Sequence, residues 1–154
     1  LYKQTIQFAL QGGIIDLTCG MTGSAIPVPQ AVKQALDAGV PLERLTLSSD
    51  GNGSMPKFNE NNELIGLTAA APRYLYEEML SIVKAGVLPF DKALQLITCN
   101  VADALKLEDK GRIAVGKDAD LIVWNNDLTL NKVFARGRLM VDEGQAVVKG
   151  TFEN

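Results

Sequence analysis

The sequence predicts an α/β fold, made of the last two strand–helix units of an eight-stranded parallel (β/α)8 barrel followed by a small β unit. Helical and strand-like segments alternate through residue 107, which indicates parallel strands joined by crossover helices. Only two such strands are visible, whereas a complete barrel needs about 250 residues. After residue 107 the sequence consists of turns and short strands. We therefore expect two domains, 1–107 and 108–154, and a chain that is the carboxyl-terminal portion of a longer protein.

The two predicted strand–helix units follow an opening helix. Residues 2–10 carry apolar side chains at helical spacing, and a Gly-Gly pair follows them. Residues 14–19 are mostly apolar and β-branched, as in a buried parallel strand. Pro29 suits the first turn of the next helix, which Gly39 ends, and residues 45–49 make the second strand.

A long loop and three helices complete the first predicted domain. Residues 50–62 are polar and rich in glycine, so we expect a loop there. Apolar spacing predicts a helix over residues 72–87, and Pro89 begins another. Asn100 is the predicted N-cap of a third, short helix, with Asp103 in a capping-box-like position.

The second predicted domain is a β unit that begins near Glu108. Its strands are expected over residues 121–124, 132–135, 138–141 and 146–148, with a hairpin turn at 142–144.

Composition excludes several classes of protein. The chain has 154 residues, of which 47% are hydrophobic and 21% charged, and its net charge is -3. These values are typical of a globular protein. The acidic balance gives no electrostatic reason to expect a nucleic-acid or membrane partner, and no apolar run approaches the roughly 18 residues of a membrane span. No signal peptide is recognisable, so we expect a cytoplasmic protein.

The chain contains no histidine and two cysteines. No Ser-His-Asp triad, Cys-His pair or His-ligated zinc site can be built from it alone. Cys19 and Cys99 lie in apolar stretches. We interpret them as free thiols in a reducing compartment rather than as a disulfide.

Asp50 is the candidate catalytic residue. It follows a strand of otherwise uncharged residues, and the carboxyl-terminal ends of strands form the active-site face of barrels and open α/β sheets. A carboxylate there can bind a metal ion or act as a general base. The alternative is an aspartate that begins an Asx-turn, which the local sequence by itself favours.

The run Asp-Gly-Asn-Gly-Ser at residues 50–54 allows further interpretations. A calcium loop would need glycine where Met55 stands and glutamate where Asn61 stands, and a phosphate loop would need a lysine. A glycine-rich turn that lets backbone approach a small ligand suits the run better, with Ser54 as a hydrogen-bond donor or as an ordinary turn serine. The polar residues 18–24 follow the preceding strand, where a plain surface loop is the favoured interpretation.

Several motifs resemble one family of enzymes. The run LTLSSDGNGS at residues 45–54 resembles the eighth-strand segment of the bacterial isoaspartyl (β-aspartyl) dipeptidases, which are metal-dependent amidohydrolases. The run GRIAVGKDADL at residues 111–121 is similar to the superfamily's return-strand motif, G-x-I-x-x-G-x-D-A-D-L. Residues 133–141 and 148–153 also resemble this dipeptidase, so the resemblance covers nearly the whole chain.

The resemblance implies a barrel, a β-sandwich built from both chain ends, and a two-zinc site. In the family, four histidines and a carboxylated lysine on earlier strands are the other ligands. The family aspartate matched by Asp50 binds one zinc, accepts a proton from the bridging hydroxide and passes it to the leaving amine. Gly53 and Ser54 match the substrate pocket, the substrate is a small β-aspartyl dipeptide, and relatives form homo-oligomers.

The sequence departs from the family in lacking the histidines, the lysine and the substrate-binding arginines of the earlier strands. We therefore expect the chain to be inactive alone, and to self-associate through the exposed edges of its two parallel strands. Two alternatives stay open. One is another amidohydrolase that acts on a cyclic amide or imide, which should lack the Gly-Asn-Gly-Ser continuation. The other is a non-catalytic, amidohydrolase-like assembly protein.

Overall fold

The structure is a computed structural model that describes residues 2–21, 26–61 and 63–150. Parts of three predicted segments lie outside these residues: positions 22–24 of the polar stretch, Asn62 of the polar loop, and positions 151–153 of the last motif.

The chain divides into two compact units, Leu1–Lys106 and Leu107–Asn154. The elements of the first unit are α1 (Tyr2–Leu10), β1 (Ile15–Thr18), α2 (Val28–Asp37), a 3-10 turn (Leu42–Arg44), β2 (Leu45–Ser48), β3 (Ser54–Phe58), β4 (Leu64–Ala69), α3 (Tyr74–Lys84), α4 (Phe90–Gln95) and α5 (Cys99–Ala104). The second unit contains β5 (Leu121–Trp124), β6 (Leu130–Ala135), β7 (Arg138–Asp142) and β8 (Gln145–Ala146). The predicted α/β class is confirmed.

The parallel pair β1–β2 has one apolar and one polar face. Ile15 pairs with Leu45 and Thr18 with Ser48, in one continuous register. Ile15 and Leu45 are buried in a core shared with the helices. Since successive side chains of a strand point to opposite faces, the intervening polar side chains lie on the other face. This polar face consists of Asp16, Thr18, Thr46 and Ser48.

The helices cover the apolar face as their spacing predicts. Val32 and Ala35 of α2, and Met79 and Ile82 of α3, are fully buried in the same core. Pro29 lies in the first turn of α2, where its missing N–H has no helical partner to lose. None of the helices in the described part of the chain is long and apolar enough to cross a membrane.

The predicted loop over residues 50–62 is wrong for residues 54–58, which form β3 and pair with β4 in an antiparallel hairpin. The polar residues that suggested a loop make the hairpin tip, where the Asn59 side chain accepts the backbone N–H groups of Asn61 and Glu63, both at 2.9 Å. Pro56 lies inside β3. Proline inside a strand-like run argues against a strand, and this one is tolerated in a two-stranded ribbon.

The predicted capping role of Asn100 is also wrong. Helix α5 begins at Cys99 after Thr98, and Asn100 lies inside it. Its side chain is buried, and Nδ2 donates to the carbonyl oxygens of Leu42 at 2.8 Å and Leu45 at 2.9 Å. Asn100 therefore ties α5 to the start of β2, because a buried amide must find hydrogen-bond partners.

The second unit is a four-stranded antiparallel sheet in the order β5-β6-β7-β8. The predicted hairpin turn between the last two strands is present, with Glu143 and Gly144 both at positive φ. The last strand is shorter than predicted and ends at Ala146.

Candidate active site

Asp50 lies two residues beyond the carboxyl end of β2 and is exposed. Its backbone is left-handed, with φ 47°, a conformation that aspartate tolerates better than most residues. The Asp50 carbonyl oxygen accepts the Gly53 N–H at 2.7 Å, which closes a turn. The turn uses the backbone alone: within the described residues, the Asp50 carboxylate takes part in no hydrogen bond or ion pair.

Gly53 is required by the close approach of this turn. A Cβ at position 53 would lie 2.8 Å from the Asp50 carbonyl oxygen, too close for any side chain. The turn is also fastened to the residue that follows β4. Ala70 accepts the Asn52 N–H at 2.9 Å and donates its own N–H to Gly53 at 2.8 Å. Asp50 thus lies in a turn that is hydrogen-bonded to Ala70, the residue after the β3–β4 hairpin.

Ser54 is the first residue of β3 and lies opposite Ala69. It is exposed, whereas the next residue, Met55, is buried. The structure therefore brings Asp50, Gly53 and Ser54 into one turn. Their predicted roles in catalysis and substrate binding stay predictions.

Asp16, which has no predicted role, joins β1 to β2 through its side chain. Its carboxylate accepts hydrogen bonds from Thr46 Oγ1 at 2.7 Å and Ser48 Oγ at 2.5 Å. A cavity of about 410 Å³ lies beside β1, and Asp16, Thr18 and Glu78 are among its lining residues. The available signal was the lone charged residue in an otherwise uncharged strand.

Cys19 follows β1 and is fully buried. Burial raises the pKa of its thiol to about 12, and the negative charges of Glu78, Asp16 and Asp50 add to the effect. The three carboxylates therefore all lie within electrostatic reach of Cys19. A thiol that stays protonated is a poor nucleophile, so Cys19 is a structural residue. Both Cys19 and Cys99 are free thiols, as predicted.

The described residues do not contain a complete metal site, since they include no group of three or more His, Cys, Asp or Glu side chains that could hold an ion. Asp50 fits as a single ligand, because its oxygens have no competing partner among those residues. Carboxylate oxygen is an accepted ligand of zinc.

The aspartates of the motif at residues 111–121 have partners within the second unit. Lys110 Nζ contacts the carboxylates of Asp118, at 2.7 Å, and Asp120. The Asp120 carboxylate also accepts the backbone N–H of Arg136 at 2.7 Å, and Gly137 donates to the carbonyl of Ala119 at 2.9 Å. The two motif aspartates therefore fasten the turn between β6 and β7.

The pKa values in this cluster follow from its hydrogen bonds. Those donated by Lys110 hold the pKa of Asp118 and of Asp120 below the ordinary value, and the Arg136 N–H lowers that of Asp120 further. In return, the two carboxylates raise the pKa of Lys110.

Comparison with known proteins identifies the family. Residues 27–140 match the model of the amidohydrolase family. The chain belongs to the amidohydrolase family. This amidohydrolase chain superimposes on the structure of a β-aspartyl dipeptidase from Fervidobacterium islandicum AW-1, solved in complex with the β-Asp-Leu dipeptide, with a TM-score of 0.83 and 31% identity. The match covers 97% of this chain and 38% of that one.

Two curated relatives are similar over shorter stretches. An imidazolonepropionase from Anaeromyxobacter sp. (strain K) is 34% identical over 112 residues, which is 73% of this chain and 22% of that protein. An adenine deaminase from Geobacillus kaustophilus (strain HTA426) is 40% identical over 67 residues, 42% of this chain and 11% of that protein. The chain thus spans about a fifth or less of these curated relatives.

Proposed function

We propose that this chain is the carboxyl-terminal portion of a metal-dependent amidohydrolase that hydrolyses β-aspartyl dipeptides. The observation that carries the proposal is the similarity over 97% of the chain to a β-aspartyl dipeptidase structure that holds a β-Asp-Leu dipeptide. The available carboxylate of Asp50, at the carboxyl end of a parallel strand, is consistent with it.

The same proposal places the elements in a larger fold. Strands β1 and β2 become strands seven and eight of a (β/α)8 barrel, with α2 as the crossover helix between them. A parallel pair with α2 between its strands, and with one face packed against helices, supports this placement. The antiparallel second unit becomes the carboxyl-terminal part of a composite β-sandwich.

In the proposed reaction, water attacks the carbonyl carbon of the β-aspartyl amide. Asp50 accepts a proton from the attacking water and delivers it to the amide nitrogen, which leaves as an amine when the C–N bond breaks. A metal ion held in part by Asp50, for which we propose zinc, would supply Lewis-acid chemistry to the carbonyl and to the attacking water at neutral pH. Asp50 would be one ligand, and the others would come from outside the described residues.

Gly53 and Ser54 are proposed substrate contacts. The absence of a side chain at Gly53 keeps the turn compact, so that a ligand can approach the backbone beside Asp50. The exposed Ser54 hydroxyl can donate a hydrogen bond to the dipeptide.

A second candidate function is hydrolysis of a cyclic amide or imide. It is supported by the relative named imidazolonepropionase, since an imidazolone is a cyclic amide, whereas the name adenine deaminase refers to removal of an amino group from a ring. The identities of 34% and 40% are similar to the 31% for the dipeptidase, but they cover less of the chain.

Turnover by the full-length gene product distinguishes these candidates. We expect hydrolysis of β-Asp-Leu, no hydrolysis of α-Asp-Leu, and no action on dihydrouracil or adenine. Chelation should abolish turnover, and added zinc should restore it. Activity on a ring compound alone would favour the second candidate, and no activity on any substrate would favour an assembly protein.

We also propose a cytoplasmic protein that forms homo-oligomers. Several large apolar side chains are exposed on β4, namely Leu64, Ile65 and Leu67. Exposed apolar patches commonly mark surfaces that other polypeptide covers. Light scattering of the full-length protein should show a mass greater than one subunit, and a stable monomer would contradict this.

A further inference from the structure

We propose that Asp16 is a positioning residue that fixes the end of β2 and thereby the orientation of Asp50. The proposal rests on the proposed catalytic role of Asp50. Asp16 acts through Ser48 rather than by touching the substrate.

The geometry is a clamp across two strands. One oxygen of the Asp16 carboxylate accepts from Thr46 at 2.7 Å, and the other accepts from Ser48 at 2.5 Å. Thr46 and Ser48 are successive residues on the same face of β2, and Thr46 is directly opposite Asp16 in the register. The planar carboxylate therefore fixes two points of β2 at once.

Ser48 is the last residue of β2 and lies two residues before Asp50. Its carbonyl oxygen accepts the Cys19 N–H at 2.7 Å, so β1 and the residue after it hold Ser48 at both backbone and side chain. On the other side of Asp50, Ala70 holds Asn52 and Gly53. Asp50 therefore lies between two segments that hydrogen bonds hold in place. Asp16 contributes the side-chain hydrogen bond at Ser48.

Stability alone does not account for a carboxylate here. Asp16 is exposed and contributes nothing to the apolar core, and it lies within electrostatic reach of Cys19 together with Asp50 and Glu78. Among the described residues it has no ion pair that would favour its charge. The negative charge of Asp16 strengthens the hydrogen bonds that the Thr46 and Ser48 hydroxyls donate to it, because charged acceptors form stronger hydrogen bonds than neutral ones.

The test compares variants of the full-length protein with β-Asp-Leu as substrate. Asp16→Ala and Ser48→Ala should each lower kcat by about 10–100-fold, the range for loss of a group that orients a ligand, and should leave KM within about twofold. Asp16→Asn should recover most of the kcat, because its amide can accept from Thr46 and donate to Ser48. Asp37→Ala removes another carboxylate of the same unit, which forms an ion pair with exposed Lys33, and should match wild type.

A second measurement does not depend on turnover. Hydrogen exchange in the peptide covering residues 47–53 should be at least about tenfold faster in Asp16→Ala and Ser48→Ala than in Asp37→Ala, at an unchanged melting temperature. If wild type does not hydrolyse β-Asp-Leu, the proposed function fails. The hydrogen-exchange result alone then tests whether Asp16 holds the end of β2. Wild-type exchange in Asp16→Ala would overturn the proposal. So would a lower melting temperature in Asp16→Ala, or equal losses of kcat in Asp16→Ala and Asp16→Asn.

Discussion

Asp50 in the first unit and Asp120 in the second each lie within two residues of a strand end, yet their carboxylates have opposite surroundings. Asp120 contacts Lys110 and accepts the Arg136 N–H, so its oxygens are occupied. The Asp50 carboxylate has no such partner within the described residues. A carboxylate saturated by a cation and an amide holds a turn together, whereas one without partners can bind a ligand or move a proton.

Replacing the acid by its amide at these two positions should separate a catalytic role from a structural role most clearly. Asp50→Asn should lower kcat for β-Asp-Leu by about 10³-fold or more, since general-base catalysis alone contributes about 10²–10⁴-fold. Its melting temperature should be unchanged, because asparagine tolerates the left-handed backbone. Asp120→Asn should show the reverse: kcat within about twofold of wild type, and a melting temperature a few degrees lower. A near-wild-type kcat in Asp50→Asn would contradict the catalytic role proposed for Asp50.

The turn that carries Asp50 can be tested at Gly53. In Gly53→Ala the new Cβ would lie 2.8 Å from the Asp50 carbonyl oxygen, so the turn must shift. We expect a loss of about 1–3 kcal/mol in the free energy of unfolding, typical of overpacking, and a kcat at least about tenfold lower. Gly51→Ala is the matched control, because its Cβ would meet Pro72 Cγ at the more tolerable 3.1 Å. Equal losses in the two variants would show that Asp50 does not depend on the turn.

The smallest expected effect concerns pH and the Lys110 cluster. Lys110→Met removes the cation that Asp118 and Asp120 share, and should lower the melting temperature at pH 7 by a few degrees. The folded pKa of both aspartates lies below 3.8, so the stability they contribute is present above that pH and is lost as pH falls through the folded values. The difference between wild type and Lys110→Met should therefore shrink below pH 3.8. A difference that persists in acid would mean that packing of the lysine stem, rather than charge, stabilises the turn.

Much of the fold was predictable because it is encoded locally. The core residues of α2 and α3 recur at helical spacing, and β1 and β2 are short runs of mostly uncharged residues, so periodicity alone placed them. The hairpin β3–β4 was not predicted, because Pro56 and the polar tip at Asn59 mask its strands. Its pairing depends on contact between segments, which spacing does not reveal.

The candidate site was predictable to a similar degree. A turn at Asp50 follows from a strand end and two glycines, and the structure closes it with the Asp50 carbonyl oxygen rather than with the side chain of an Asx-turn. Asn100 and Asp16 were missed or misassigned because their partners are distant in sequence. Asn100 contacts Leu42 and Leu45, and Asp16 contacts Thr46 and Ser48, roughly thirty to sixty positions away in each case. Such bonds require the tertiary fold to be known first.

The buried thiol of Cys19 can be used to measure how often the first unit opens, because reagents can reach it only in opened molecules. Burial raises the pKa of the Cys19 thiol to about 12, so the thiol is protonated at neutral pH, and the side chain has no contact with solvent. Alkylation at this position therefore proceeds through molecules in which the structure around Cys19 has opened. The alkylation rate, read by mass spectrometry on the unmodified protein, gives the free energy of that opening without an introduced label.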